Sequence, residues 1–134
     1  MTRLKVNLLL ALTKPINTAA ISLMAVYTMM WGFWVGNPFW DVFEQSKMYD
    51  KMSVAFPEAV WGAFAFTIGT GMLLGVAVNS KKSLSWGSFA GFMHWLVISG
   101  LYVWSDWQNT AGLTGFMVAV YCAYIYLNIK INLK

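Results

Sequence analysis

One histidine, one cysteine and a short Thr-Gly string are the residues whose chemistry stands out. His94 is the only histidine of the chain and Cys122 the only cysteine. A single cysteine excludes an intrachain disulfide and a cysteine zinc site, and a single histidine excludes a bis-histidine haem or a His-x-x-x-His metal pair. No metal and no cofactor is therefore expected. Ser99, Ser105, His94 and Asp106 are nucleophile and acid–base types, but their spacing matches no nucleophile–base arrangement, and no glycine loop precedes a Lys-Ser/Thr pair. The chain reads as a non-enzyme.

Two polar patterns remain. His94 sits at the centre of an apolar stretch, where an ionisable group is costly and commonly functional. By depth, Thr67, Thr70, Tyr27 and Tyr121 lie at the same level in three other apolar stretches, so a mid-membrane polar layer is expected. It would serve as a gate with His94 titrating, or as a hydrogen-bonded lock with His94 neutral. The string Thr67-Ile68-Gly69-Thr70-Gly71 resembles the carbonyl filter of potassium channels in letters only. Met72-Leu73-Leu74 follows it, and a re-entrant loop here would leave too few residues to span.

The elements that must hold these residues follow from composition. Of 134 residues, 59% are hydrophobic and 10% charged, against roughly 25% charged in a soluble domain. A soluble chain this short could not bury so much apolar surface. Four apolar stretches near the ~20 residues of a membrane span cover about 16–36, 57–78, 84–104 and 110–129. The expected fold is all-α, a four-transmembrane-helix bundle in one domain.

Charge orients the bundle. Arg3, Lys5, Lys14, Lys81, Lys82, Lys130 and Lys134 fall on one side; Asp41, Glu44, Asp50, Glu58 and Asp106 fall on the other with Lys47 and Lys51. The positive-inside rule places both termini in the cytoplasm, and Trp31, Trp34, Trp40, Trp61, Trp104 and Trp107 gather at the opposite interface. The net charge of +4 is explained by topology, not by nucleic acid. Residues 1–14 read as a short interfacial helix ended by Lys14-Pro15 rather than as a signal peptide.

Asn37-Pro38 reads as a helix start, with Asp41 and Glu44 in the first turns. It predicts a short interfacial helix in the first outer loop, with Trp40, Phe43, Met48 and Met52 in the membrane surface. Trp40, Asp41, Glu44 and Glu58 are its candidate partner-binding residues. GxxxG spacing occurs at Gly32/Gly36, Gly71/Gly75 and Gly87/Gly91. Small residues four apart let membrane helices approach closely, within one bundle or between copies, and a homo-oligomer is expected.

Trp31-Gly32-Phe33-Trp34, a Phe-rich loop, and Pro57-Glu58-Ala59-Val60-Trp61-Gly62 together resemble short four-span membrane proteins of tailed bacteriophages and prophages. The resemblance implies a bacterial inner membrane as compartment and no catalytic residues. Two functions are then expected. The first is an oligomeric pore former or pore regulator, holin-like or altering host permeability. The second is an accessory subunit docking onto a larger membrane complex or virion. Partners are lipids, further copies or another membrane protein.

Overall fold

The computed structural model describes residues 15–132, so the N-terminal interfacial helix expected over 1–14 lies outside the described residues. The described residues are helical with no strand: α1 Thr18–Val35, α2 Asp50–Ala55, α3 Glu58–Ala77, α4 Lys81–Ser105 and α5 Ala111–Ile131, with 3-10 turns at Phe43–Gln45 and Lys47–Tyr49.

Each start has a local cause. Asn17 opens α1 by accepting a hydrogen bond from the Ala19 amide at 2.9 Å. Pro57 precedes α3, whose first residue is Glu58. Ser80 caps α4 through the Ser83 amide at 3.2 Å, and Asn109 accepts from the Ala111 amide at 2.8 Å to start α5. The turn between α3 and α4 is a Schellman motif: Ser80 N donates to Gly75 O at 2.8 Å and Asn79 N to Val76 O at 3.1 Å. Asn79 takes the left-handed conformation there, at φ 50°.

α1, α3 and α5 are long and apolar enough to cross a membrane. All three are apolar around their circumference, and Leu23, Met30, Phe33, Phe64, Leu74, Leu113 and Met117 are all exposed. α4 is the longest helix and less apolar in total, yet its polarity is sorted inward. Ser85, Ser88, His94 and Ser99 are buried, while Trp86, Phe89, Met93, Leu96, Val97, Val103 and Trp104 are exposed.

The helices pack as two tight pairs, α1 with α3 and α4 with α5, joined along α3 and α4. Glycines make the first seam. A Cβ on Gly32 would lie 2.5 Å from the Phe66 amide nitrogen, and one on Gly69 would lie 2.5 Å from the Ala25 carbonyl oxygen. Gly36 lies against Gly62 in the same seam. In the second pair Ser99 Oγ donates to the Gly112 carbonyl at 2.6 Å. α1 and α5 scarcely meet. They are tied at one end, where the Ile16 amide donates to Asn128 Oδ1 at 3.2 Å.

The GxxxG residues are therefore mostly spent inside the chain. Gly75 meets Leu84, Gly87 meets Met72, Gly91 meets Cys122, and only Gly71 of the six faces open space.

The loop departs from expectation. No helix starts at Asn37; its side chain instead accepts from the Phe39 amide at 3.0 Å, and the Trp40 indole donates back to the Trp34 carbonyl at 2.9 Å. These local bonds compete with a helical turn. The helix forms later, as α2. Nor does the loop lie flat, because Met52 is fully buried and Phe43 nearly so. It folds inward as a cap over one end of the bundle.

Candidate functional site: an aromatic box under a folded cap

His94, on the inward face of α4, is enclosed by three indoles from three helices. Trp31 of α1 lies 5.7 Å away between ring centroids and Trp95 of α4 5.8 Å, both edge-on. Trp61 of α3 is tilted at 6.1 Å. Two of these rings have committed their N–H groups elsewhere. Trp95 Nε1 donates to Thr28 Oγ1 at 3.1 Å, and Trp61 Nε1 donates to the Met52 carbonyl at 3.1 Å. What these two rings turn towards the imidazole is therefore aromatic surface. Among the described residues His94 Nε2 has no hydrogen-bond partner.

The expected polar layer is not assembled around it. Thr67 is exposed on α3. Thr70 Oγ1 is buried without a hydrogen-bond partner. Tyr27 is 43% exposed and stacks on Trp95 at 5.5 Å. Tyr121 packs beside Tyr124 at 6.2 Å. The reason is rotational. Tyr27 and Thr67 each stand two residues beyond a buried alanine, Ala25 and Ala65, and two residues of helix turn a side chain by about 200°. Equal depth does not give a common face. The residue that does join the site is Thr28, which falls on the buried line Ile21, Ala25, Thr28, Gly32 and Val35. That spacing of four, three, four and three is readable without coordinates.

The cap seals the box from its end of the bundle. The Phe43 amide donates to the Glu58 carboxylate, and the Lys51 amide donates to Ser105 Oγ at 3.1 Å. Met52 enters the same core as Trp61, Trp95, Ile98 and Tyr102. Tyr49 continues the aromatic run, stacked on Phe43 at 5.1 Å and edge-on to Tyr102 at 5.6 Å. Burial pushes the Tyr49 phenol up; a hydrogen bond with Tyr102 opposes this, and the Glu58 charge adds to it. Lys51 Nζ lies over the Trp104 ring at 5.3 Å.

The loop residues expected to meet a partner divide. Asp41 and Glu44 are exposed, whereas Glu58 is half-buried and holds the cap, and the Trp40 ring is tied to Trp34 at 4.9 Å. The polar residues near the end of α4 are also occupied: Ser99 and Ser105 by the bonds above, and Asp106 Oδ1 by the Gln108 amide at 3.3 Å. Cys122 is buried. Among the described residues, no three His, Cys, Asp or Glu side chains come together as metal ligands.

No family model matches the chain, and no curated protein or solved structure is similar to it.

Proposed function

We propose that this chain is a four-span, non-enzymatic protein of a bacterial inner membrane that acts through its surfaces, as an accessory subunit seated against other membrane helices. The observation that carries this reading is the inverted polarity of α4, with serines and His94 inside and large apolar side chains outside. A soluble helix sorts its side chains the other way. Lipid, or another apolar helix, is the medium this outer surface suits, and that makes α4 the fourth span with both termini on the cytoplasmic side.

The filled interior favours a surface role over an axial pore. Trp95, Met52, Met72, Ile98 and Ile125 are fully buried, and the cap covers one end. The likeness to short phage membrane proteins fits as well, because its signature residues have structural work here. Glu58 and Trp61 hold the cap, and Gly62 admits α1. A holin-like pore is the second reading, favoured by Thr67 and Gly71, which lie one turn apart on an outward face of α3. In that reading the conduit runs between copies.

Native mass spectrometry of the protein released from nanodiscs separates the two. A monomer, or a complex with one stoichiometric membrane partner, is expected. A closed homo-oligomer of three or more copies would replace the accessory role with the pore.

A further inference from the structure

Because α1 and α5 diverge away from the Ile16–Asn128 tie, a cleft of about 320 Å³ opens between them towards the cap. Five aromatic residues line it: Tyr27, Trp31, Tyr49, Trp95 and Tyr102. Tyr27 stacks on Trp95 at 29°, while Trp31 meets Trp95 at 63° and Tyr49 meets Tyr102 at 80°, so the lining rings present planes of different orientation. Asn109, Thr110 and Thr114 are the polar residues on the α5 side, with Asn109 Oδ1 accepting from the Ala111 amide and Thr114 Oγ1 donating to the Thr110 carbonyl at 3.2 Å. No charged side chain lines the cleft. Two acids act on residues of the lining: the Glu58 charge acts on the Tyr49 phenol, and the Asp106 carbonyl accepts from the Asn109 amide at 3.0 Å. The segment 37–58 around it carries four acids, Asp41, Glu44, Asp50 and Glu58, against Lys47 and Lys51.

From this juxtaposition we infer that the α1/α5 cleft is a binding site for an organic ammonium cation. Ring faces carry the negative part of the aromatic quadrupole and attract a weakly hydrated cation without needing a formal counter-charge in the cavity. An anion would meet neither a basic group in the lining nor a favourable field from the segment around it. A neutral apolar ligand would gain nothing from Asn109 or Thr110. The mouth lies at the capped end of the bundle and between two helices, so the ammonium can arrive on a free solute or on a lipid headgroup.

The test is isothermal titration of the full protein in maltoside micelles, with choline and its uncharged carbon isostere 3,3-dimethylbutan-1-ol. Choline is expected to saturate one site and to bind at least about tenfold more tightly than the isostere, which is the size of a moderately desolvated cation–π contact. Tyr27→Leu removes one wall and Glu58→Gln removes the charge while retaining an oxygen for the Phe43 amide. Both are expected to weaken choline and leave the isostere unchanged, and Glu58→Gln serves if the tyrosine variant does not fold. Repeating the titration in nanodiscs of phosphatidylglycerol with and without phosphatidylethanolamine identifies the source. Competition by phosphatidylethanolamine assigns the site to a lipid ammonium, and its absence assigns it to a free solute. Equal affinity for choline and the isostere, or no saturable binding of choline, would overturn the inference. These readouts are independent of oligomeric state, and so of the accessory role.

Discussion

His94 has the hallmarks of a functional group by position and those of a packing group by surroundings. An imidazole whose Nε2 lacks a partner gains little from being polar, and its three indole neighbours are satisfied by any flat ring of similar size. His94→Phe is therefore expected to cost no more than about 1.5 kcal/mol of thermal stability in detergent, the range of a tolerated core swap. His94→Ala should cost about 2–4 kcal/mol by opening the box. A large loss in His94→Phe would mean that the nitrogen makes an essential bond. Tyr49 supplies the pH dependence. Its neutral phenol is favoured in the folded cap, so the stability it contributes is complete below the ordinary phenol value of 10.0 and is lost as pH rises beyond it. Melting temperatures from pH 9 upward should therefore fall less steeply in Tyr49→Phe than in the parent. Identical slopes would remove Tyr49 from the alkaline transition. Of this site the sequence makes His94 and the tryptophans visible as types. It does not show that they meet, because Trp31 and Trp61 come from two other helices than His94 and Trp95, and the meeting depends on rotation about three axes.

The helix is the scale at which periodicity speaks most clearly, and the four long helices begin and end within three residues of the apolar stretches at 16–36, 57–78, 84–104 and 110–129. Glycine spacing is less informative. Gly62 and Gly69, which belong to no GxxxG pair, make α1/α3 approaches as close as that of Gly32, because a seam needs a small residue wherever backbones cross and the partner helix sets that place. Gly69→Leu would drive a side chain into the Ala25 carbonyl and should cost more than about 3 kcal/mol, beyond the usual range for overpacking. Gly71→Leu, where an added side chain meets nothing within 4 Å, should be near neutral in a monomer. Thermal melts of both in one detergent check the pair; equal losses would mean that Gly71 is also covered, and by a second copy. The loop was legible only in part. Asn37-Pro38 has the letters of a helix start, but the side-chain bonds of Asn37 and Trp40 are made within the turn, and helix is deferred to Asp50.

At the scale of the whole molecule the open issue is α4. By hydropathy it is the least apolar of the four long helices, and the difference decides whether the chain crosses three times or four. Total hydropathy is the wrong quantity for a helix with neighbours on one side. What lipid meets is the outward face, and there α4 presents Trp86, Phe89, Met93, Leu96, Val97 and Val103. Two serine hydroxyls of α4 are satisfied by neighbouring carbonyls, Ser99 Oγ by Gly112 and the half-buried Ser83 Oγ by Gly71 at 3.2 Å, whereas Ser88 Oγ is buried without a partner among the described residues. Residues on either side of α4 must then face opposite compartments. In a Cys122→Ser background, Lys82→Cys sits in the first turn of α4 and Gln108→Cys beyond its last, and both parent side chains are exposed. An impermeant maleimide should label Gln108→Cys in intact spheroplasts and Lys82→Cys only in inverted vesicles, with Ser53→Cys in the cap following Gln108→Cys. Labelling of Lys82→Cys and Gln108→Cys from the same side would make α4 a surface helix. The termini would then lie on opposite sides, and a three-span fold would replace the four-span bundle.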